Sequence, residues 1–470
     1  MSHDDCSCDN RREFLKKGAL GLTTGFLGLS MLTKFFLAEA YGITPDPATQ
    51  KYDAVIQIFY DGGPSQTDTW DPKPGSLNNV FNTINLGAQD IYGKPMYVSE
   101  VFPQLANAVM NDPAIKLGVV RSMSHGNGDH DTAQSWMNCF WQSPVATVYP
   151  STACAMAHYF QGQGIGVPSV LVRGSNGQDA NNPKGSDCPT GLQVFDTNTT
   201  VGTLRAPANV DANRYARRRS LMEAFNSSFM PGHQDNTAKA WDNAWKQAYS
   251  ITTNGQAASA FDLTGKPLLT GGTGASGGAL RNLTLAQELV KAGVPYVSLG
   301  IGGNDTHDNN RQSIMNIWGG TTDVAIAQMA RNLKATGKRV LIVMGGEFGR
   351  TPDTTRPDAN GVSRDGRDHW GSGFSWSMVS VNQPAFRMTA VGDTGPDGMW
   401  TRSSTTKLVD IVEPGAFGTL LYRSLGFPIG LDPKWNIPTA IGSKPPVDQA
   451  IANSTLAGGG TWLMQRFGLA

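Results

Sequence analysis

The sequence is short of charged residues and has no net charge. Lys, Arg, Asp and Glu make up 16% of the 470 residues, whereas an average soluble protein has roughly 25%. The 38 basic residues are balanced by 38 acidic residues. Binding to nucleic acid or to an anionic membrane surface requires an excess of cations. We therefore expect no nucleic acid partner and no polybasic contact with a membrane.

Cysteine is also scarce, and no two cysteines have the Cys-x-x-Cys spacing of a zinc ribbon. The chain has five cysteines, and Cys139, Cys154 and Cys188 lie beyond the N-terminal segment. One disulfide would leave one thiol over; buried thiols are the alternative that we expect. A Gly-x-x-x-x-Gly-Lys-Ser/Thr loop is missing too, which argues against nucleoside triphosphate chemistry of that class.

Long apolar runs are missing, and the N-terminal run at 18–33 is too short and too rich in Gly and Thr to span a membrane. It follows Arg11-Arg12-Glu-Phe-Leu-Lys and precedes Ala-Glu-Ala at 38–40, the order of an export signal. The arginine pair resembles a twin-arginine signal. We predict that residues 1–40 direct export to the periplasm or the cell exterior through the twin-arginine machinery, with cleavage before Tyr41 and no membrane span afterwards. The alternative is an amphipathic N-terminal helix of the mature domain.

Short apolar runs alternate with helical patterns along the rest of the chain. The runs end in glycine and polar residues, which is typical of buried strands. The predicted strands are 53–60, 114–120, 167–172, 294–300 and 339–344. The predicted helices are 100–111, 133–140, 152–160, 214–229, 237–249, 284–292 and 323–335. This order predicts a doubly wound, mostly parallel sheet flanked by helices. We predict a single α/β domain over residues 41–470, with loop insertions at about 252–278, 351–365 and 391–404.

Polar clusters follow the first two predicted strands, where open sheets of this class bind ligands. Asp61 and Asp68 follow the first strand and are candidate metal ligands, although side chains of this type also cap turns. His130 and Thr132 open a helix after the second strand. Thr132 or Ser124 is a candidate nucleophile there, and Asp131 is a candidate helix cap.

Further clusters follow the later strands. Asp305 and His307 form an Asp-x-His pair, which places both side chains on one face of an extended segment. Glu347 follows the fifth strand, and Asp368-His369 comes later. Four histidines, His125, His130, His307 and His369, lie in clusters of this kind. Such a gathering favours a divalent metal centre, although single histidines are often structural.

The motifs together resemble one known family. They are Gly-Gly-Pro-Ser-x-x-Asp-Thr-Trp-Asp-Pro-Lys-Pro at 62–74, Asp-Thr-His at 305–307, Glu-Phe-Gly-Arg-Thr-Pro at 347–352 and Gly-Arg-Asp-His at 366–369. The sequence resembles the domain-of-unknown-function 1501 family of exported bacterial proteins. That resemblance implies an alkaline phosphatase-like fold, from the superfamily that includes sulfatases. It also implies divalent metal, of the zinc or the calcium/magnesium class and often two ions, at the carboxyl ends of the sheet.

The resemblance implies a role for each matching residue. It implies metal ligation by Asp61 or by Asp68, by Asp305 with His307, by Glu347 and by the late histidine His369. His130 and Asp368 complete the candidate ligands. Arg350 and Arg367 are implied to hold an anionic group between them. Phe348 stands where the superfamily has a histidine, and the nucleophile stays open between Asp131 and Thr132. A sulfatase-type Cys-x-Pro-x-Arg sequence is missing.

Two functions remain open at this point. The first is a metal-dependent hydrolase of phosphate or sulfate esters, acting on a small anionic ester or a polysaccharide. The second is a non-catalytic exported surface or carbohydrate-binding protein with a degenerate metal site. The first predicts that Asp305, His307, Glu347 and His369 converge on one point, with raised carboxylate pKa values. The second predicts that these side chains cap separate turns.

Overall fold

Strand β1 (Ala54–Tyr60) is an unbroken apolar run in which every residue is buried, as expected of a strand covered on both faces. It lies between β7 (Tyr296–Ile301) and β8 (Val340–Gly345) and is parallel to both. The carboxyl ends of three neighbouring parallel strands therefore meet at one edge of the sheet.

The computed structural model describes residues 46–140, 151–153, 156, 160, 167, 169–172, 192–194, 211–229, 232, 259–353, 365–398, 411–427 and 459–470. The predicted export signal lies outside these residues. So do the predicted helix at 237–249, most of the one at 152–160, and both Cys154 and Cys188. Of the predicted insertions, the described parts are 259–278, 351–353 with 365, and 391–398.

Within the described residues, the main sheet has eight strands in the order β12-β4-β11-β8-β1-β7-β5-β6. The remaining members are β4 (Ile115–Met123), β5 (Val170–Val172), β6 (Leu192–Val194), β11 (Phe374–Val381) and β12 (Thr389–Val391). Strand β11 is antiparallel to β4 and β8, and every other pair in this sheet is parallel. The predicted mostly parallel sheet is confirmed, whereas β6, β11 and β12 were not predicted.

In the part of the chain that the structure describes, two short antiparallel pairs lie outside the main sheet. One is formed by β2 (Thr83–Gln89) and β3 (Pro95–Ser99). The other is formed by β9 (Gly349–Arg350) and β10 (His369–Trp370), which follow β8 in the chain. This second pair sets Arg350 opposite His369 and brings both next to the carboxyl edge of the main sheet.

Helices cover both faces of the sheet, as a doubly wound fold requires. The helices are α1 (Pro103–Asn111), α2 (His130–Cys139), α3 (Ala212–Phe229), α4 (Gly277–Lys291), α5 (Asn310–Ile314), a π-helix (Met315–Asp323), α6 (Val324–Lys334), α7 (Pro414–Ser424) and α8 (Gly459–Arg466). Alternate residues of β1 face opposite sides: Ile56 packs in the core with α1, α4 and α6, and Phe59 packs in the core with α2, α7 and α8. Both faces of the sheet are therefore sealed from water.

Several helix boundaries differ from the sequence prediction. Helix α4 begins at Gly277 rather than near residue 284, because Ser276 caps it: its Oγ accepts the Ala279 N–H at 3.3 Å. Helix α2 begins at His130, and its cap is Asp129 rather than Asp131.

Cys139 is a buried thiol whose Sγ donates to the Ser135 carbonyl. Among the described helices, none combines the length and the apolar character needed to cross a bilayer.

Candidate metal centre

The candidate site lies at the carboxyl edge of the central strands. Asp61 directly follows β1, Asp305 follows β7, and Glu347 follows β8. His130 is the first residue of α2, and His369 is the first residue of β10. The neighbouring parallel strands gather Asp61, Asp305 and Glu347, and His130 and His369 join them from α2 and β10, so that the site includes side chains up to 308 positions apart in the sequence.

His369 and His130 each form a hydrogen bond to another oxygen through Nδ1 and direct Nε2 toward Asp305. Nδ1 of His369 donates to the Gly128 carbonyl at 2.7 Å, and its Nε2 lies 3.3 Å from Asp305 Oδ1. Nδ1 of His130 donates to Glu347 Oε1 at 2.7 Å, and its Nε2 lies 3.6 Å from Asp305 Oδ2. A histidine whose Nδ1–H is held by an oxygen presents a lone pair at Nε2, as metal-binding histidines do.

His307 has the same arrangement. Its Nδ1 lies 3.3 Å from Asp368 Oδ1, and its Nε2 lies 3.2 Å from Asp305 Oδ1. The Nε2 atoms of His307 and His369 are only 2.9 Å apart. If both Nδ1 atoms carry the ring proton, the two Nε2 lone pairs face each other, and either a proton or a metal cation between them would relieve the repulsion. Asp305, His307 and His369 therefore lie together, whereas Glu347, the fourth residue predicted to converge, contacts this group through His130.

Asp61 and Glu347 form a second, deeper group beside the histidines. Glu347 is fully buried, and its Oε1 accepts the Gly62 N–H at 2.9 Å in addition to the His130 bond. Oδ1 of Asp61 accepts from the Gln134 side-chain amide, which also lies 3.4 Å from Glu347 Oε1. Asp61 Oδ2, Glu347 Oε2 and His130 Nε2 are buried atoms without a hydrogen-bond partner. Buried atoms of this kind are costly without a partner, and a bound cation would supply one.

The pKa values of Asp61 and Asp305, the two carboxylates that flank the site, are shifted in opposite directions. Burial raises the pKa of Asp61 to about 7, and the neighbouring Glu347 carboxylate adds to the shift. Burial would also raise the pKa of Asp305, but the hydrogen bond and charge of Arg350 outweigh it and hold the pKa at about 2. The predicted upward shift is thus found for Asp61 and is wrong for Asp305. The hydrogen bond to Glu347 raises the pKa of His130.

The donor set fits a divalent metal ion. Ligand atoms of His130, Asp305 and His369 all lie within 4.8 Å of one another. Burial lowers the pKa of His369, which keeps that imidazole neutral and able to bind metal. Imidazole and carboxylate together are typical ligands of zinc. Asp61 and Glu347, each with a buried oxygen that has no hydrogen-bond partner, could supply a second set of hard ligands.

Asp68 lies outside this centre. It is fully buried, and Arg367 donates to both of its oxygens, from Nε to Oδ2 at 2.7 Å and from Nη2 to Oδ1 at 3.0 Å. Ser65 and Asn310 also donate to Oδ2. The remaining N–H groups of Arg367 donate to the backbone carbonyls of Asn78, Thr351 and Pro352. Both members of this pair are engaged with the protein itself.

Thr132 is placed in the first turn of α2, and its contacts are with the helix cap. Its N–H donates to Asp129 Oδ1 at 2.9 Å, and its hydroxyl also bonds that carboxylate.

Asp368 is exposed and contacts the centre through His307. Gln134 was not among the predicted residues. Its position four residues after His130, on the same helix face, is the signal that identifies it.

A family model described as "Protein of unknown function (DUF1501)" matches residues 52–379. No curated protein matches the sequence.

Similar solved structures include the C-terminal periplasmic domain of EcEptC from Escherichia coli in complex with Zn (9% identity, 88% of this chain, 98% of that chain, TM-score 0.34). A second is the Streptococcus pyogenes phosphoglycerol transferase GacH in complex with sn-glycerol-1-phosphate (9% identity, 93% of each chain, TM-score 0.36). A third is an alkaline phosphatase from the Antarctic bacterium TAB5 (10% identity, 73% of this chain, 94% of that chain, TM-score 0.30). These scores describe remote likenesses.

Proposed function

The chain belongs to the DUF1501 family, and from that premise we propose that it is an exported, metal-dependent hydrolase of phosphate or sulfate esters. The observation that carries the proposal is the 2.9 Å approach of the Nε2 atoms of His307 and His369 beside Asp305. Both imidazoles direct Nδ1 at an oxygen acceptor. A metal ion bound between these nitrogens would use both lone pairs, and a nitrogen and oxygen donor set favours zinc over calcium or magnesium.

Two groups of residues would hold two ions. His130, His307, His369 and Asp305 form the first group, and Asp61 with Glu347 forms the second. Divalent ions here would polarise the ester oxygens and stabilise charge on the leaving group. They would also turn a site with excess carboxylate into one with excess positive charge, which favours a small anionic ester or an anionic polysaccharide as substrate.

The protein's own residues orient the donors. Glu347 fixes the ring of His130, and the Gly128 carbonyl fixes the ring of His369. Gln134 holds Asp61 through its amide. We assign the attack on the ester to water rather than to Thr132, because the Thr132 hydroxyl is bonded to the helix cap Asp129.

Elemental analysis and a hydrolysis assay test this function. Protein purified from metal-replete cells should contain at least one tightly bound divalent ion. It should hydrolyse p-nitrophenyl phosphate or p-nitrophenyl sulfate, lose activity after chelation and regain it with zinc. Protein that carries no divalent ion would contradict the proposal and support the second function, a non-catalytic surface or carbohydrate-binding protein. Bound metal without hydrolysis of either ester would contradict the catalytic part alone.

Export through the twin-arginine route is a separate part of the proposal. Replacing Arg11 and Arg12 by Lys should retain the uncleaved protein in the cytoplasm, because this machinery reads the arginine pair. A Lys16→Arg, Lys17→Arg variant keeps the charge of the segment and should be exported normally. Cell fractionation and the size of the product measure both. Normal cleavage and export of the double lysine variant would overturn the route.

A further inference from the structure

We infer that Arg350 is a positioning residue that joins the loops carrying the metal ligands, and that it does not hold the substrate anion. The inference rests on the proposed function only in that it concerns the same metal centre. It differs from the role that the family resemblance implied, in which Arg350 and Arg367 clamp an anionic group.

The guanidinium of Arg350 is fully buried and engaged by the protein. Its Nε donates to the Gly63 carbonyl at 2.9 Å, and its Nη1 donates to the Arg367 carbonyl at 3.0 Å. Its Nη2 donates to the Gly62 carbonyl and, at 2.5 Å, to Asp305 Oδ1. Four acceptors on three loops therefore receive four of its five N–H groups. Little donor capacity is left for a substrate anion.

The loops joined by Arg350 also touch each other directly. Gly62 has a φ of +108°, and a Cβ at that position would lie 2.2 Å from the backbone nitrogen of Asp305. The loop after β1 therefore lies against the loop after β7 with no room for a side chain. Arg350 binds the carbonyls of Gly62 and Gly63 and the carboxylate of Asp305, so it holds both sides of this junction.

Pairing of β9 with β10 also links Arg350 to the segment that carries His369. Arg350 in β9 lies opposite His369 in β10, and its Nη1 bonds the carbonyl two residues before that histidine. The backbone of Arg350 is itself fixed, because its N–H donates to the Gln66 side chain at 2.9 Å. One residue thus sets the spacing between Asp305 and His369, both of which face the candidate ion.

Lysine cannot replace this arrangement. Its ammonium group has three donors around one point, whereas the guanidinium is a planar fork with five donors. A lysine at 350 would keep the positive charge beside Asp305 and lose most of the carbonyl bonds. The conservative variant therefore separates geometry from charge.

Zinc affinity of the purified full chain is the measurement that tests the inference. The variants are Arg350→Lys and Arg350→Met, and competition with a chromophoric chelator gives Kd. We expect Kd for zinc to rise about 10–100-fold in both, the usual cost of losing a residue that orients a metal ligand. The absorption spectrum of the cobalt-loaded protein should change as well, because it reports ligand geometry. Inorganic phosphate as a competitive inhibitor gives a separate measure of anion binding.

Arg339→Met is the matched control. Arg339 precedes β8 just as Arg350 follows it, and it also joins a carboxylate to a carbonyl, through Asp53 at 2.7 Å and Gln50 at 3.1 Å. It does so at the opposite edge of the sheet. Its loss should lower stability in urea and leave zinc affinity and the cobalt spectrum unchanged.

Three results would overturn the inference. Wild-type zinc affinity and cobalt spectrum in Arg350→Lys would mean that charge alone suffices. Weaker phosphate inhibition with unchanged zinc affinity would assign Arg350 to the anion. Loss of folding in both variants would make Arg350 a requirement of the fold itself. A wild-type protein that binds zinc and hydrolyses no ester would contradict the proposed function while leaving this measurement valid.

Discussion

A His130→Ala variant is expected to lose tight zinc binding, with a rise in Kd of more than about 100-fold, beyond the usual cost of removing an outer partner. His130 connects both groups of the centre, since Nδ1 is bonded to Glu347 and Nε2 faces Asp305. Its loss would remove one proposed nitrogen ligand and free Glu347 Oε1 from one of its donors. Isothermal titration with zinc after chelation measures the effect, and ester hydrolysis should fall with metal occupancy.

Thr132→Ala is the control for that variant. Thr132 lies two residues further along the same helical turn, and its contacts are with Asp129. Zinc affinity and hydrolysis should both stay near wild type. Retained zinc with abolished hydrolysis would instead identify Thr132 as the nucleophile. Equal loss of zinc in both variants would mean that the start of α2, rather than His130, determines the affinity.

The edge at which Asp61, Asp305 and Glu347 meet could be predicted from the sequence, because it depends on a general property of parallel sheets. Apolar runs in the sequence predicted β1, β7 and β8. The polar residues after each run predicted the edge of the sheet at which the carboxyl ends of these strands meet. The order of the strands was not needed for that step. It could not have been obtained either, because the antiparallel β11 pairs with β4 and β8, contacts that join segments far apart in the chain.

The chemistry of individual carboxylates was harder to predict. Asp61, Asp68 and Asp305 all follow strands in polar segments, yet each has a different partner. Asp61 lies near the carboxylate of Glu347. Asp305 pairs with the buried guanidinium of Arg350, and Asp68 pairs with that of Arg367. The partner of Asp68 is 299 residues away, so local spacing carries no information about it. Residues that share a helix turn, such as His130 and Gln134, are the ones that spacing does identify.

Asp68→Ala should be among the most destabilising single substitutions in the protein. It leaves the buried Arg367 without its carboxylate, and breaking a buried ion pair in this way costs about 3–5 kcal/mol. It also removes the acceptor of Ser65 and Asn310. Urea unfolding of chelator-treated protein measures the free energy without any contribution from metal. A Lys334→Met variant breaks the more exposed pair with Asp112 and should cost no more than about 1 kcal/mol.

The double variant Asp68→Leu, Arg367→Met distinguishes the ion pair from metal ligation. Because apolar residues of similar size can replace a buried pair at little cost, it should recover much of the stability lost in Asp68→Ala. Zinc affinity in this double variant should stay near wild type, since Asp68 contacts Arg367, Ser65 and Asn310 rather than the histidines. A large loss of zinc affinity in the folded double variant would return Asp68 to the metal ligands. A double variant as unstable as Asp68→Ala would mean that the hydrogen bonds from Arg367 to the surrounding carbonyls, and not its charge pair, hold this region together.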